Sequence, residues 1–577
     1  MSVTVAAFHQ DNSELPSGFR LMQDGVYRRV DSCESGKTWE RLCSPLRVLA
    51  LSRDRSGRGW GRLVEVIDPD GQAHRWSIPA QMFAGDGAEL RAGLLDLGLD
   101  LAPGPEARRA LSELLQRWQP SPRFLTTDRL GWADETCTAF VLGDGRAIGS
   151  QDVVFQAETT SAVAAEMKAT GTLHDWREEI GVACVGNPLM LMAASLAFSG
   201  PLLEMLGLEG GGLHLRGASS RGKSSVLKVA VSVWGSPRFL QSWRVTANGL
   251  EGISAACNAK VLALDELGEV SGRDAGQAAY MLANGTGKAR ASRSGAARPS
   301  LRWRVSVLSS GEITLADKIA EAGGRAAAGQ DIRLLDIVAD DRAYGAFDDL
   351  HGAKDGAEFS DRLRRATANQ YGTAGPEYVA RLLEDPVRAT DMVRKSIATF
   401  HDLARERFRL VGEGQVQRAV ARVGLISAAG ELATLFDLTG WPPGATVDAG
   451  LTIIENWLRT RGGDGPAEAR EAVTRVRDFL VKNGSARFED IGENAVKDRQ
   501  IYDRVGWQDK QHFYIGANAW RGIHKGADPT RAAKHLVEAG YLHRGDGSNL
   551  TTKMPAKVEG RPRAYKVSKG IMGAGDE

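Results

Sequence analysis

Cysteine is scarce in this chain. Its 577 residues hold five thiols, Cys33, Cys43, Cys137, Cys184 and Cys257, and no two stand at metal-ligand spacing. That argues against a zinc ribbon or finger, and an odd, sparse set suits a reducing, cytoplasmic setting. An excess of either charge is also missing: 73 Lys and Arg face 72 Asp and Glu. A polyanionic partner would therefore need a local patch. The ten histidines form no H-E-x-x-H pair. No signal peptide is expected, because "MSVTVAAFHQDNSELPSG" lacks a basic start followed by a long apolar run. One apolar stretch, "NPLMLMAASLAFSGPLLEMLGL" at 187–208, is broken by Gly200-Pro201 and carries Glu204. A membrane span needs roughly 20 uninterrupted apolar residues, so the stretch reads as two buried helices or one kinked one, and no membrane partner is expected.

What is present divides into five parts. Residues 1–44 show weak periodicity and read as a loosely ordered lead-in. Residues 45–160 carry the strands "LRVLALSR", "GRLVEVI" and "HRWSI" and two helices, an α+β domain. Asp68 and Asp70 in "DPDG" read as turn formers rather than a metal pair. Residues 161–344 open with a helical connector and then alternate strand and helix, the pattern of a mostly parallel sheet wrapped by helices. The strands there do not alternate cleanly, as expected when both faces are buried. Residues 345–485 are almost wholly helical, with Trp441 and Trp457 as core. Residues 486–577 return to mixed structure. "PTRAAKHLVEAG", "YLHRGDGSNLTTKM" and "RPRAYKVS" have the order of a winged helix, made mildly basic by Arg544, Lys553, Lys557, Arg561 and Arg563. The expected class is α/β.

The strongest motif is Gly217-Ala218-Ser219-Ser220-Arg221-Gly222-Lys223-Ser224, which fits G-x-x-x-x-G-K-[ST] and is followed by Ser225. An apolar strand precedes it and an amphipathic helix follows. Such a loop turns backbone N–H groups around phosphate, and glycines permit the backbone angles. The helix N-terminus adds its positive end. Lys223 would reach the β- and γ-phosphates of ATP, and the Ser224 hydroxyl would ligate Mg²⁺. "KVLALDEL" supplies a second element, an apolar strand ending in Asp265-Glu266. Asp265 is placed to hold the Mg²⁺ shell and Glu266 to polarise the attacking water. "RVSVLSSGE" supplies a third: Ser310 or Ser309 would stand between water and γ-phosphate. Arg325 and Arg333 follow the next helix, where either would reach a neighbouring subunit's nucleotide in a ring.

Together, "GASSRGKSS", "SWRVTANGLEG", "LALDELGE", "YMLANGTGKARASR" and "LSSGEITLADKI" resemble a bacterial family labelled as a domain of unknown function. That family occurs on phages, plasmids and integrated elements, and its core is similar to the minichromosome-maintenance and superfamily-three ring helicases. The resemblance implies an AAA+ P-loop core with Lys223, Ser224, Asp265 and Glu266 in the roles given above. A serine in "SSG" replaces the asparagine common in such helicases. The resemblance also gives meaning to "KARASRSGAARPSLRWR" at 288–304, which holds six cations and no acid. In these helicases a hairpin at this interval enters the ring pore. Lys288, Arg290, Arg293 and Arg298 would then contact DNA phosphates. The expected activity is ATP-dependent unwinding of DNA in mobile-element replication. Expected partners are single-stranded or forked DNA, further copies in a hexamer, and primase or replication proteins. An ATP-switched initiator or loader, and a defence or signalling ATPase, are the alternatives.

Overall fold

Alternating apolar residues over 46–53 and 61–67 fold as an antiparallel pair, and 46–53 buries every second side chain. The strand Ala73–Pro79 pairs next to 61–67. Between them Asp68 Oδ1 accepts the N–H groups of Asp70 and Gln72 at 2.9 and 2.8 Å, and Oδ2 meets His74. These carboxylate contacts build a tight turn. Helices Ala88–Asp96 and Pro105–Arg117 bury Leu90, Leu94, Leu111 and Leu114 in the same core. The computed structural model describes residues 14–32, 36–156, 161–288, 290–291, 297–298, 300–323, 333–410, 414–461, 467–484, 486–492, 501, 503–525, 528–547, 549–556 and 558–573.

Two features of this region differ from expectation. Residues 19–43 are not a loose lead-in: Phe19–Met22, Gly25–Ser32 and Gly36–Cys43 form a three-stranded antiparallel sheet. Leu21, Val26, Leu42 and Cys43 anchor it in the N-terminal core, while interspersed Arg and Glu side chains hide the alternation from a sequence reading. Nor does packing break at residue 160. Trp132, Phe140, Leu142 and Met167 belong to the core of the following part.

That core surrounds a sheet of β1 (Gly211–Arg216), β2 (Gln241–Ser242), β3 (Val261–Asp265), β6 (Ser306–Gly311) and β7 (Leu334–Val338). Two short strands, β4 (Arg290–Ala291) and β5 (Ala297–Arg298), lie outside it. The order is β2-β3-β6-β1-β7, and every pairing is parallel. The associated helices are α1 (Pro188–Met205), α2 (Lys223–Ser232), α3 (Ala247–Ala256), α4 (Gly272–Asn284) and α5 (Leu315–Glu321).

The interrupted apolar stretch is the single helix α1. By length and composition it could cross a membrane, yet 83% of it is buried inside the protein. Pro201 lacks an N–H and so leaves the Ala197 carbonyl without its helical donor. The Trp234 indole N–H fills that place at 2.8 Å. Gly200 is required by close approach: a Cβ there would stand 2.6 Å from Lys260 Cα.

Downstream, α6 (Gln415–Leu435) and α7 (Ala445–Arg461) share the core of the sheet, with Trp441 and Trp457 buried in it. The helix α8 (Ala467–Asn483) instead joins the C-terminal part through Val476 and Leu480. There, α9 (Pro529–Glu538) precedes strands Leu542–His543 and Thr552–Lys553, both paired antiparallel to Arg563–Ser568.

Candidate nucleotide-binding site

Because the sheet is parallel, the C-terminal ends of its strands share one edge, where open α/β sheets bind ligands. The phosphate loop leaves β1 there, Asp265 ends β3 there, and Ser310-Gly311 end β6 there. Since β6 lies between β1 and β3, Ser310 stands between the loop and the acidic pair, opposite Leu215 in register.

The loop is built as its motif requires. Gly222 has φ +94°, and a Cβ on it would meet the Phe347 ring at 2.7 Å. Ser220 also adopts positive φ. Ala218, Ser219, Ser220 and Arg221 are exposed, Ser224 and Ser225 are half-buried, and α2 starts at Lys223. The buried Lys223 ammonium donates to the Gly217 and Ala218 carbonyls at 2.8 and 2.6 Å, which holds it across the loop. The segment after β7 wraps the same loop. Asp340 accepts the Ala218 N–H at 2.7 Å, and Ala346 N–H donates to the Arg221 carbonyl at 2.8 Å. The sequence discloses neither contact, since "IVADDRAYGAF" follows the loop by more than a hundred residues and resembles an ordinary strand exit.

Across from the loop, Ser310 Oγ donates to Asp265 Oδ1 and accepts the Glu266 N–H at 3.4 Å. The other Asp265 oxygen makes no hydrogen bond among the described residues. That oxygen and the Ser224 hydroxyl are both hard oxygen donors, the kind a Mg²⁺ that keeps most of its waters could take. Glu266 is exposed and holds a left-handed backbone, φ +61°. Such a conformation costs about 1–3 kcal/mol in a non-glycine residue and tends to mark functional sites. Its carboxyl is shifted upward, first by partial desolvation and then by Asp265 beside it, while Lys223 opposes the shift. An upward shift favours a proton-accepting role near neutral pH.

The two candidate serines have different surroundings. Ser309 faces away from Asp265 into a buried chain. Trp243 Nε1–H donates to Ser309 Oγ at 2.8 Å, and Ser309 donates to His214 Nδ1 at 2.9 Å. His214 Nε2–H donates to the Ile313 carbonyl at 3.0 Å. A carbonyl only accepts, so this bond sets the imidazole tautomer. Burial pushes the His214 pKa down to about 4 and keeps the ring neutral.

Two short strands within the basic interval, β4 and β5, pair with each other. Arg290 pairs with Arg298 and Ala291 with Ala297, antiparallel. The root of this pair continues through Thr286–Arg302, Gly287 N–H to the Leu301 carbonyl at 2.8 Å, and Trp303 N–H to the Gly285 carbonyl at 2.9 Å. Lys288 is exposed at this root, and its N–H reaches the buried Glu251. Arg293 and Arg325 lie outside the described residues. Arg333 precedes β7, at the opposite edge of the sheet from the loop, with its guanidinium 5.0 Å from the Tyr280 ring centre. A six-residue strand spans about 20 Å, so Arg333 does not belong to its own subunit's phosphate site.

Sheet order, loop and acidic strand end have the arrangement of a phosphate-loop core. A family model described as "Domain of unknown function (DUF927)" matches residues 19–302. The solved structure titled "SCCmec type IV Cch - active helicase" superposes with a TM-score of 0.72 over 97% of this chain and 99% of its own, at 18% identity. The two chains therefore share a fold over nearly their whole length. NtrX from Brucella abortus, in complex with ATP, aligns at 12% identity over 65% of this chain and 69% of its own, but its TM-score of 0.18 carries no argument. No curated protein matches the sequence.

Proposed function

We propose that this chain is an ATP- and Mg²⁺-dependent, ring-forming DNA helicase of the AAA+ type, acting in replication of a mobile genetic element. The carrying observation is one juxtaposition. The phosphate loop, Asp265-Glu266 and Ser310 meet at one sheet edge, and a basic hairpin is inserted between the acidic strand and the strand bearing Ser310. The fold shared with a helicase of an SCCmec element supports the same reading.

In this reading Gly217–Ser225 cradle the triphosphate and Lys223 turns from the loop carbonyls to the phosphates. Ser224 and Asp265 hold Mg²⁺, Glu266 activates water, and Ser310 orients it beside Asp265. Arg333 or Arg325 serves the neighbouring subunit's nucleotide in a hexamer. Lys288, Arg290, Arg293 and Arg298 hold the phosphates of single-stranded or forked DNA. A primase or replication protein is the expected companion, the cytoplasm the expected place, and the C-terminal part a winged-helix module. The ATPase core of this proposal takes in α6 and α7 as well as 161–344, and the C-terminal part starts with α8.

The test is ATP turnover with and without single-stranded DNA, together with strand separation on a fork. Wild type should be stimulated by DNA and separate strands. Lys223→Ala should lose tight ATP binding, because a charge-assisted phosphate contact goes. Normal nucleotide affinity in that variant would refute the phosphate-loop assignment. Stimulation without strand separation would favour the ATP-switched loader.

A further inference from the structure

A second ligand site lies at the root of the hairpin: we infer that the cavity there takes a nucleobase of the single strand that the hairpin holds by its phosphates. The inference rests on the DNA reading above.

The cavity measures about 640 Å³ and lies between α3, α4 and the hairpin root. Sequence explains its walls. The helix "QAAYMLAN" turns Ala278 and Met281 inward beside Leu250 of α3, while Thr286, Gly287 and Lys288 close the hairpin side. Tyr280 also lines it, with 52% of its surface exposed. An aromatic ring at an open, largely apolar cavity is the setting in which bases stack. The Arg333 guanidinium lies 5.0 Å from the Tyr280 ring centre, which holds the ring in place.

The polar groups choose between base and phosphate. Glu209 and Asp274 line the cavity, and a carboxylate repels phosphate but accepts from the amino and imino groups of a base edge. Gln277 and Asn284 add amides that both donate and accept. Lys288 lines the hairpin side, and the other cations of the basic interval follow it in the chain. A strand laid along that hairpin would keep its phosphates with the cations and turn a base inward.

One wall of the cavity leads to the nucleotide site. Trp243 lines the cavity, and its indole N–H is bonded to Ser309, next to the Ser310 that holds Asp265. Base occupancy should therefore contribute to DNA-stimulated ATP turnover.

The experiment compares a 20-mer of thymidine with an abasic 20-mer of the same backbone, by fluorescence anisotropy on the full chain. Wild type should bind the thymidine strand roughly five- to a hundred-fold more tightly, the range expected for one stacked base. Tyr280→Ala should close that gap. So should Ala278→Phe, which fills the cavity and keeps the exposed ring. Affinity for the abasic strand, and its salt dependence, should stay as in wild type for both variants. Equal wild-type affinity for the two strands would overturn the cavity site and leave the hairpin reading standing. A gap that survives in both variants would also overturn it. Binding of neither strand would remove the DNA reading and this inference with it. Competition by free thymidine monophosphate at the concentration of the 20-mer would overturn the strand as the source and assign the cavity to free nucleotides. Loss of self-association in Ala278→Phe, with no gap between the strands, would overturn the base reading and give the cavity to a neighbouring subunit's side chain.

Discussion

Ser309 and Ser310 are adjacent, alike and both fully buried, yet replacing them should produce opposite defects. Ser309→Ala removes the acceptor of the Trp243 indole N–H and the donor to His214 Nδ1. Both partners are buried, at 1% exposure each. Each unpaired polar group costs about 1–3 kcal/mol, so the variant should lose about 2–6 kcal/mol. The core that holds these groups runs from Trp132 to Trp457, and for a cooperative unit of that size the fall in Tm is roughly 3–9 °C. Ser310→Ala removes a donor to Asp265, a half-buried carboxylate at the open edge of the sheet where water replaces the hydroxyl. Its Tm should move by no more than a few degrees, whereas kcat should fall by tenfold or more as order around Asp265 and Glu266 decays. Differential scanning fluorimetry and steady-state ATP turnover on the two variants make the comparison. A cycle adding Trp243→Phe isolates the indole bond: the double variant should be less destabilised than the sum of the singles, because no N–H is left unpaired. Additive losses, or a stable Ser309→Ala with slow turnover beside a destabilised Ser310→Ala, would refute the assignment of the two serines.

Three further outcomes are expected. Glu266→Gln should retain ATP binding and lose turnover by about a hundredfold or more, the usual contribution of a positioned base; unchanged kcat places water activation elsewhere. Lys260 is buried between the Phe140 and Trp234 rings, its ammonium 4.9 Å from the former, and burial lowers its pKa from 10.5 to about 7. The unfolded chain then binds the extra proton between those values, so stability should be full above pH 10.5, fall by a few kcal/mol as pH drops towards 7, and level off below. Lys260→Met should flatten that part of the Tm–pH curve, and a curve as steep as wild type contradicts it. Joint replacement of Arg290 and Arg293 by Ala should reduce the salt slope of single-strand binding by roughly 0.7 for each phosphate left unneutralised, and an unchanged slope makes the hairpin a solvated loop.

What the sequence discloses about this site is whatever lies contiguous in the chain. Gly217–Ser224 and Asp265-Glu266 are short runs whose chemistry needs neighbours in sequence, and their strand and helix context is equally local. The hairpin is legible through the family resemblance, which assigns one to the interval 288–304. The Trp243–Ser309–His214 chain is not legible. Its members sit on or beside three strands, and a histidine inside "GLHLRG" is indistinguishable from an isolated buried one until β6 is known to lie beside β1. Periodicity reports that a face is apolar and leaves open what covers it. Hence the helices after residue 345 read as a domain of their own, although α6 and α7 complete the core of the sheet.

The sheet order also shows how a strand held by the hairpin would act on the nucleotide. The hairpin root ends at Trp303, which is buried and bonded to Gly285, and β6 begins at Ser306. Two residues, Arg304 and Val305, leave no slack between them. On the root's other side, α4 ends at Asn284 and reaches back to Gly272, seven residues beyond Asp265. Any displacement of the hairpin is therefore delivered at both ends to the strands that carry Ser310 and Asp265. The Ser199–Ser306 hydroxyl contact at 2.7 Å ties the start of β6 to the buried helix α1. In the proposed motor, the Ser310–Asp265 contact at the other end of β6 is the bond that such a displacement would reach at the nucleotide edge.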